Sequence, residues 1–197
     1  MELIKLNSQG LSPWHLEEVA RIHYSAYSKR HFTSIFSFEK LKEYYHELIK
    51  SSDLSLFYND EGKSVGFIIA GVNISSGVAN FIRNNRLYII ILLITHPRFL
   101  IEKITDTIKG FLPSKENKTS KFRLMSIAVD SAAHSKGYGK KMLEEFELCL
   151  AKESICDYGL SVRKENERGV KFYYNNGFIL EAETSDSYYF RKDIKIN

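Results

Sequence analysis

The chain has 197 residues, is 44% hydrophobic and 26% charged, and carries a net charge of +4 at pH 7, which is ordinary for a soluble globular protein with one sizeable core. This mild charge gives no reason to expect nucleic acid as a partner. Two cysteines, Cys149 and Cys156, exclude a disulfide framework and show no metal-ligand spacing. Because 1–5 lacks an apolar signal region, we expect a cytoplasmic protein.

The N-terminal part of the chain predicts a strand, two helices and a β-hairpin. Ser12 followed by Pro13 is typical of a helix start. The loop over 28–36 after the first helix is rich in basic and aromatic residues. The predicted elements are a strand over 2–6, helices over 13–27 and 38–49, and strands over 54–58 and 64–72 with a turn over 59–62.

A strongly apolar helical segment over 77–120 is predicted to follow the hairpin. Arg83, Arg86 and the apolar run 87–94 indicate one helix, and Pro97 indicates the start of another. The run is far shorter than the ~20 residues that cross a bilayer, so we expect no transmembrane segment. A helix that is apolar nearly all round should be buried, or should bury one side on a partner or a membrane surface.

A strand, a glycine loop and a helix start follow one another between Phe122 and Leu150. Backbone N–H groups of such a loop, together with the helix dipole, form an anion-binding site. Lys136, Lys140 and Lys141 crowd the helix start, where a phosphate-bearing ligand would offset their unfavourable interaction with the dipole. Solvated surface lysines are the alternative interpretation. Downstream, the pattern predicts a strand over 158–162, a helix over 167–176 and a hairpin over 178–181 and 188–191.

Two motifs in this C-terminal part resemble those of a known family. Residues 134–139 resemble motif A of the GNAT superfamily of N-acetyltransferases (Arg/Gln-x-x-Gly-x-Gly/Ala), with His134 where the family has Arg or Gln. Residues 166–178 resemble its motif B (Asn-x-x-Ala-x-x-x-Tyr-x-x-x-Gly-Phe), with Gly169 in place of Ala. Their order and separation make the resemblance specific.

The resemblance implies an α/β (α+β) fold, the acyl-CoA N-acyltransferase fold. A central mixed, largely antiparallel sheet would be flanked by helices in a single domain over 1–197. The segment 77–120 would then be a helical insertion between the third and fourth strands. Three alternatives stay open for this insertion: packing over the acceptor side, a homodimer interface, or peripheral contact with a membrane.

The implied function is transfer of an acetyl group from acetyl-CoA to the primary amine of a small molecule, by direct attack in a ternary complex. An amino sugar is the first candidate, since the insertion is similar in composition to acetyltransferases of polysaccharide assembly. Two alternatives remain: a protein or peptide N-acetyltransferase, and a non-catalytic acyl-CoA-binding module.

The resemblance also assigns site residues. Tyr173 would be the general acid for the leaving thiolate and would lie beside the cofactor, and no metal is expected. The sequence shows no clear general base. Candidates on the acceptor side are His31, Phe32 and Ser126. The expected cofactor-binding residues are Ile127, Ala128, Val129, His134, Ser135, Lys136, Gly137, Tyr138, Gly139, Lys140 and Asn166.

Overall fold

The computed structural model describes residues 2–7, 10–27, 31–99 and 120–194. Strands and helices are numbered below in chain order. The strands are β1 (Glu2–Leu6), β2 (Leu54–Asp60), β3 (Lys63–Gly71), β4 (Arg123–Val129), β5 (Asp157–Arg163), β6 (Ile179–Glu183) and β7 (Ser187–Asp193). The helices are α1 (Pro13–Ala26), α2 (Phe38–Lys50), α3 (Ser75–Asn84), α4 (Arg86–Thr95), α5 (Tyr138–Lys152) and α6 (Glu167–Asn175).

The strands form one sheet in the order β1-β2-β3-β4-β5-β7-β6. The β4–β5 pair is parallel, and the other neighbours are antiparallel. Helices cover both faces of the sheet, because successive strand side chains point to opposite sides. Phe57 and Phe67 pack with α1–α4, whereas Tyr58 and Ile68 pack with α5. The predicted mixed, largely antiparallel sheet flanked by helices is confirmed.

The junction between β4 and β5 is short. β4 pairs with β3 from Arg123 to Val129. On its other edge, within the part of the chain that the structure describes, β4 pairs with β5 only where Arg123 lies opposite Gly159. The Gly159 N–H donates to the carbonyl oxygen of Phe122 at 2.9 Å. Beyond this point the two strands diverge and leave an edge of β4 open.

The segment after β3 differs from the prediction of one helix from Arg83 to Ile94. The helical conformation is interrupted at Asn85, so Arg83 belongs to α3 and the apolar run belongs to α4. The Asn85 side chain donates to the Phe81 carbonyl oxygen at 3.1 Å, a side-chain bond of the kind that competes with continued helix. The predicted insertion continues through 100–119, which lie outside the described residues.

Helix α4 buries only part of its apolar surface. Ile89 and Leu92 pack into the core, whereas Leu87 is 77% exposed and Ile94 is 69% exposed. The prediction that the run is buried therefore holds for one side of α4 in the described structure. No helix among the described residues is both long and apolar enough to cross a membrane.

Candidate active site

A cleft of about 1260 Å³ opens where β4 and β5 diverge. β4 and β5 line its floor, and the glycine loop and α6 line one end. The end of α1, the segment after residue 30 and α2 line the other end. The cleft therefore lies along the open edge of β4.

Most of the residues predicted for the site line this cleft, although they come from distant parts of the chain. Lys136 is exposed and is not among the lining residues. Three predicted acceptor-side residues line the cleft, namely His31, Phe32 and Ser126. The other predicted residues that line it are Ile127, Ala128, Val129, His134, Ser135, Gly137, Tyr138, Gly139, Lys140, Asn166 and Tyr173.

The glycine loop is held in shape by its own backbone and by α1. Gly137 caps α5 with φ +80°, and Ser135 has φ +65°, both in the left-handed region. Asp130 accepts a hydrogen bond from the Ala132 N–H at 2.9 Å and forms an ion pair with Arg21 of α1. The first N–H groups of any helix lack intrahelical acceptors, so the start of α5 presents donors at the cleft.

His134 and Arg168 add a cation next to this loop. The Val129 carbonyl oxygen lies 2.9 Å from Nε2 of His134, so Nε2 carries the proton and donates. Nδ1 of His134 then accepts from Nη1 of Arg168 at 3.1 Å, because a guanidinium can only donate. The sequence prediction named His134 and missed Arg168, which lies inside the second motif.

Asn166 is oriented by the helix that it starts. Its side-chain Oδ1 accepts from the Gly169 N–H at 3.0 Å and caps α6. A Cβ atom at residue 169 would lie 2.7 Å from Nδ2 of Asn166. An alanine at residue 169, as in the motif, would therefore require the Asn166 side chain to shift from its position in this cap.

Tyr173 is buried on α6 and packs edge-on against Phe178, with 5.2 Å between ring centroids. Burial raises the pKa of Tyr173 well above its ordinary value, and the nearby Tyr27 raises it further. Among the described residues, no partner of its hydroxyl is found within hydrogen-bonding distance. The phenol therefore stays protonated and can donate to a group bound in the cleft.

A buried polar cluster, of which the sequence analysis names only His31 and Ser126, lines the other end of the cleft. Nδ1 of His23 is hydrogen-bonded to the Tyr45 hydroxyl at 2.7 Å, and Nε2 to the Thr33 hydroxyl at 3.0 Å. Burial lowers the pKa of His23 to about 3, with His31 adding to the shift. Burial also lowers the pKa of His31 to about 4, with a contribution from Arg163. Both imidazoles are therefore neutral near pH 7.

The four-residue spacing between His23 of α1 and Tyr27, which follows the end of this helix, is the sequence signal that relates these two members of the cluster. Tyr27 stacks on His23 with 4.1 Å between ring centroids, and its hydroxyl lies 2.8 Å from that of Ser126. Tyr45 and Ser126 come from α2 and β4, and no local pattern relates them to α1.

Comparison with known proteins supports the family resemblance. Residues 95–180 match the family model of the acetyltransferase (GNAT) domain. A search of curated proteins finds no match to this sequence. Among solved structures, the fold is similar to the PaiA N-acetyltransferase of Thermoplasma acidophilum in complex with coenzyme A. That match has 19% identity and a TM-score of 0.58, and covers 98% of this chain and 99% of that chain.

Two further structures show the same fold. The ribosomal-protein-S18-alanine N-acetyltransferase of Escherichia coli is 15% identical with a TM-score of 0.59, covering 100% of this chain and 95% of that chain. Naa20 of Chaetomium thermophilum, in complex with a bisubstrate analogue, is 14% identical with a TM-score of 0.52. That match covers 100% of this chain and 88% of that chain. The resemblance to the GNAT superfamily is thus supported by the family-model match over 95–180, and the solved structures show that the chain has the same fold.

Proposed function

We propose that this protein transfers an acetyl group from acetyl-CoA to the primary amine of a small molecule, with an amino sugar as the first candidate acceptor. The observation that carries the proposal is the single cleft in which the open edge of β4, the glycine loop and Tyr173 meet. The acceptor end of the same cleft holds His31 and Ser126.

The residues present fit coenzyme A. The backbone of 127–129 on the open edge of β4 would hold the pantetheine arm, since its groups lack a β5 partner in the described structure. The glycine loop at Gly137 and Gly139 would hold the phosphates, with Lys140 and Arg168 as nearby cations. When bound, acetyl-CoA supplies a thioester carbonyl carbon that an amine can attack.

Tyr173 would assist the departure of the sulfur. Its phenol remains protonated because burial raises the pKa of this group. A thiol has an ordinary pKa of about 8.5, so complete proton transfer from such a phenol is uphill. Tyr173 therefore acts first as a hydrogen-bond donor that stabilises the developing negative charge on sulfur.

The acceptor end of the cleft suits an uncharged ligand, or one that packs against aromatic rings, better than a polycation. Tyr27, Phe32 and Tyr44 provide aromatic walls there. Glu165 is the one carboxylate among the described lining residues, and it lies 3.3 Å from the guanidinium of Arg163. A polyamine or a lysine-rich peptide would be expected to face several carboxylates. Aromatic faces suit a sugar ring or an arylalkyl amine instead.

The test is acetyl-CoA-dependent release of free CoA with a panel of acceptors. The panel contains glucosamine, 2-phenylethylamine, spermidine and a peptide with an N-terminal alanine. Preference for one of the first two supports the proposal, whereas preference for spermidine contradicts the acceptor class argued from the aromatic walls. Preference for the peptide assigns the protein N-acetyltransferase alternative. Saturable acetyl-CoA binding with no amine-dependent release assigns the non-catalytic alternative.

Tyr173→Phe tests the proposed catalytic residue, and Tyr174→Phe is its control. Tyr174 is 49% exposed on the same helix and packs its ring against Phe190. We expect Tyr173→Phe to lower kcat by about 100-fold with unchanged affinity for acetyl-CoA, the lower end of the usual range for general acid catalysis. The Tyr174→Phe protein should stay within about twofold of wild type. Equal kcat values for all three proteins would refute the role of Tyr173.

A further inference from the structure

Six side chains form a continuous hydrogen-bonded chain along the acceptor end of the cleft. The hydroxyl of Tyr27 lies 2.8 Å from that of Ser126, which lies 3.4 Å from that of Tyr45. Tyr45 continues to Nδ1 of His23 at 2.7 Å, and Nε2 of His23 continues to Thr33 at 3.0 Å. The last link joins Thr33 to Nδ1 of His31 at 2.7 Å.

Every member of this chain is able to donate and to accept a hydrogen bond. Hydroxyls do both, and a neutral imidazole donates from one nitrogen and accepts at the other. His23 is suited to this because both of its nitrogens are bonded within the chain. The five hydrogen bonds can therefore all point in one direction, and all reverse together when one proton is added at one end and removed at the other.

The extent of burial differs along the hydrogen-bonded chain in a way that suits proton transfer. The four middle members are buried, with His23 at 1%, Tyr45 at 1%, Ser126 at 5% and Thr33 at 6% exposed. The two end members, Tyr27 and His31, are only partly buried. The Tyr27 ring lies against His23 and His31, with centroids 4.1 and 4.9 Å away, and lines one side of the chain.

Both end residues line the cleft, and they come from different segments of the fold. The Tyr27 hydroxyl meets Ser126 of β4, the strand whose open edge would hold the thioester arm, and it lies near enough to Tyr173 to affect that group. His31 lies in the segment between α1 and α2, which is distant from β4 in the amino-acid sequence. Burying the four middle polar side chains is costly unless all are paired, and apolar side chains would join α1, α2 and β4 without that cost.

We propose that this chain is the proton relay that replaces a single general base, taking the amine proton at the Tyr27 hydroxyl and releasing a proton to water from His31. The inference rests on the proposed acetyl transfer and deepens it. It also assigns roles to the hydroxyl of Thr33 and to His23, neither of which was among the candidate residues.

The step balances as follows. The amine nitrogen forms a bond to the acetyl carbon, the carbon–sulfur bond breaks, and the sulfur leaves with the bonding electron pair. One proton passes from nitrogen to Tyr27, and each hydroxyl and the His23 imidazole hands its own proton to the next member. His31 gains a proton on Nδ1 and loses one from Nε2 to water, so no member is left charged.

Thr33→Val is the sharpest test, because it removes one hydroxyl from the middle of the chain at nearly constant volume. With 2-phenylethylamine as the probe amine, we expect kcat to fall by about 100-fold, the lower end of the usual loss of general base catalysis, with an unchanged KM for acetyl-CoA. Thr33→Ser restores the hydroxyl and should return kcat to within about threefold of wild type.

A second amine separates a relay from a merely structural role. An aminooxy analogue of the probe, such as O-benzylhydroxylamine, is weakly basic and neutral at pH 7, so water can take its proton. The kcat defect of Thr33→Val should shrink at least fivefold with this amine. An equal defect with both amines would show that Thr33 acts only in packing and would overturn the relay.

A second variant and the wild-type activity serve as controls for this test. If Thr33→Val does not fold, judged by its thermal transition, Tyr45→Phe interrupts the chain at another link and should give the same pattern. A folded variant of either kind with kcat within twofold of wild type contradicts the relay while leaving acetyl transfer intact. Absence of turnover by the wild-type protein with every amine contradicts the proposed function, and the relay with it.

Discussion

Arg168 donates a hydrogen bond of 3.1 Å from Nη1 to Nδ1 of His134, which joins the start of α6 to the glycine loop. His134 is itself anchored by its bond to the Val129 carbonyl oxygen. In the first motif, His134 stands where the resembled family has Arg or Gln. The structure shows that a guanidinium is nevertheless present beside the loop, supplied from the second motif by Arg168.

Arg168→Met should weaken binding of coenzyme A by about tenfold, which corresponds to about 1.4 kcal/mol for a lost charge-assisted contact. Lys171→Met is the matched control, because Lys171 is an exposed cation one turn further along α6 and does not line the cleft. Calorimetric titration with coenzyme A measures both. Equal loss of affinity for coenzyme A in the two variants would mean that binding depends only on the net charge of the protein.

Substitutions of His134 test how Arg168 is held. Glutamine has one donor and one acceptor group that can reach the same two partners, so His134→Gln should keep the affinity for coenzyme A within about threefold. Leucine has neither, and His134→Leu should lose about as much as Arg168→Met. A His134→Leu protein with wild-type affinity would show that the hydrogen bond to Arg168 has no influence on binding.

Buried His23 should make the fold less stable in mild acid. Its folded pKa is lowered to about 3, below the ordinary value of about 6.5 that it regains on unfolding. The unfolded chain therefore binds the extra proton first. The stability is fully present above pH 6.5 and falls, by up to about 1.4 kcal/mol per pH unit from this residue, as the pH drops from 6.5 toward 3.

Urea denaturation at pH 7.0 and pH 5.0 measures this effect. His23→Gln should remove part of the difference in free energy of unfolding between the two pH values, whatever its effect at pH 7.0. The control is His46→Gln, since the His46 side chain is 50% exposed on α2. The same pH dependence in His23→Gln and wild type would show that His23 does not titrate differently on unfolding.

The short junction between β4 and β5 depends on Gly159. A Cβ atom there would meet Nη1 of Arg123, and it would lie 3.0 Å from both Cζ of Arg123 and the Phe190 carbonyl oxygen. Gly159→Ala should therefore lower the free energy of unfolding by about 2 kcal/mol, as overpacking does. In an Arg123→Met background the cost should be at least 1 kcal/mol smaller. An additive double mutant would exclude a steric conflict with Arg123.

Local sequence signals predicted much of this architecture. Ser12 and Pro13 fixed the start of α1, and the structure has α1 begin at Pro13 with a Ser12 cap. The sequence predicts too long a turn for the hairpin, because three of the four residues over 59–62 are typical turn formers. Within 59–62, only Glu61 and Gly62 have positive φ, at 49° and 75°. This two-residue turn leaves Asn59 and Asp60 in β2.

The missed features depend on contacts between distant residues. The bond between Thr33 and His23 spans only 10 positions, but that between Tyr45 and Ser126 spans 81. No periodicity relates a strand serine to a helix tyrosine, so the relay cluster could not be read from the chain. Arg168 was missed for a different reason, because its partner His134 looked like a simple departure from the first motif.

The measurement that most directly tests the central claim is calorimetric titration of acetyl-CoA into wild type, Gly137→Glu and Gly62→Glu. Both glycines have positive φ, at 80° and 75°, and both side-chain positions are open, so the two variants carry similar backbone strain. Only Gly137 lines the cleft. We predict saturable binding by wild type and Gly62→Glu and at least a tenfold loss in Gly137→Glu. Absence of binding by wild type, or equal loss in both variants, would contradict an acetyl-CoA site at this loop.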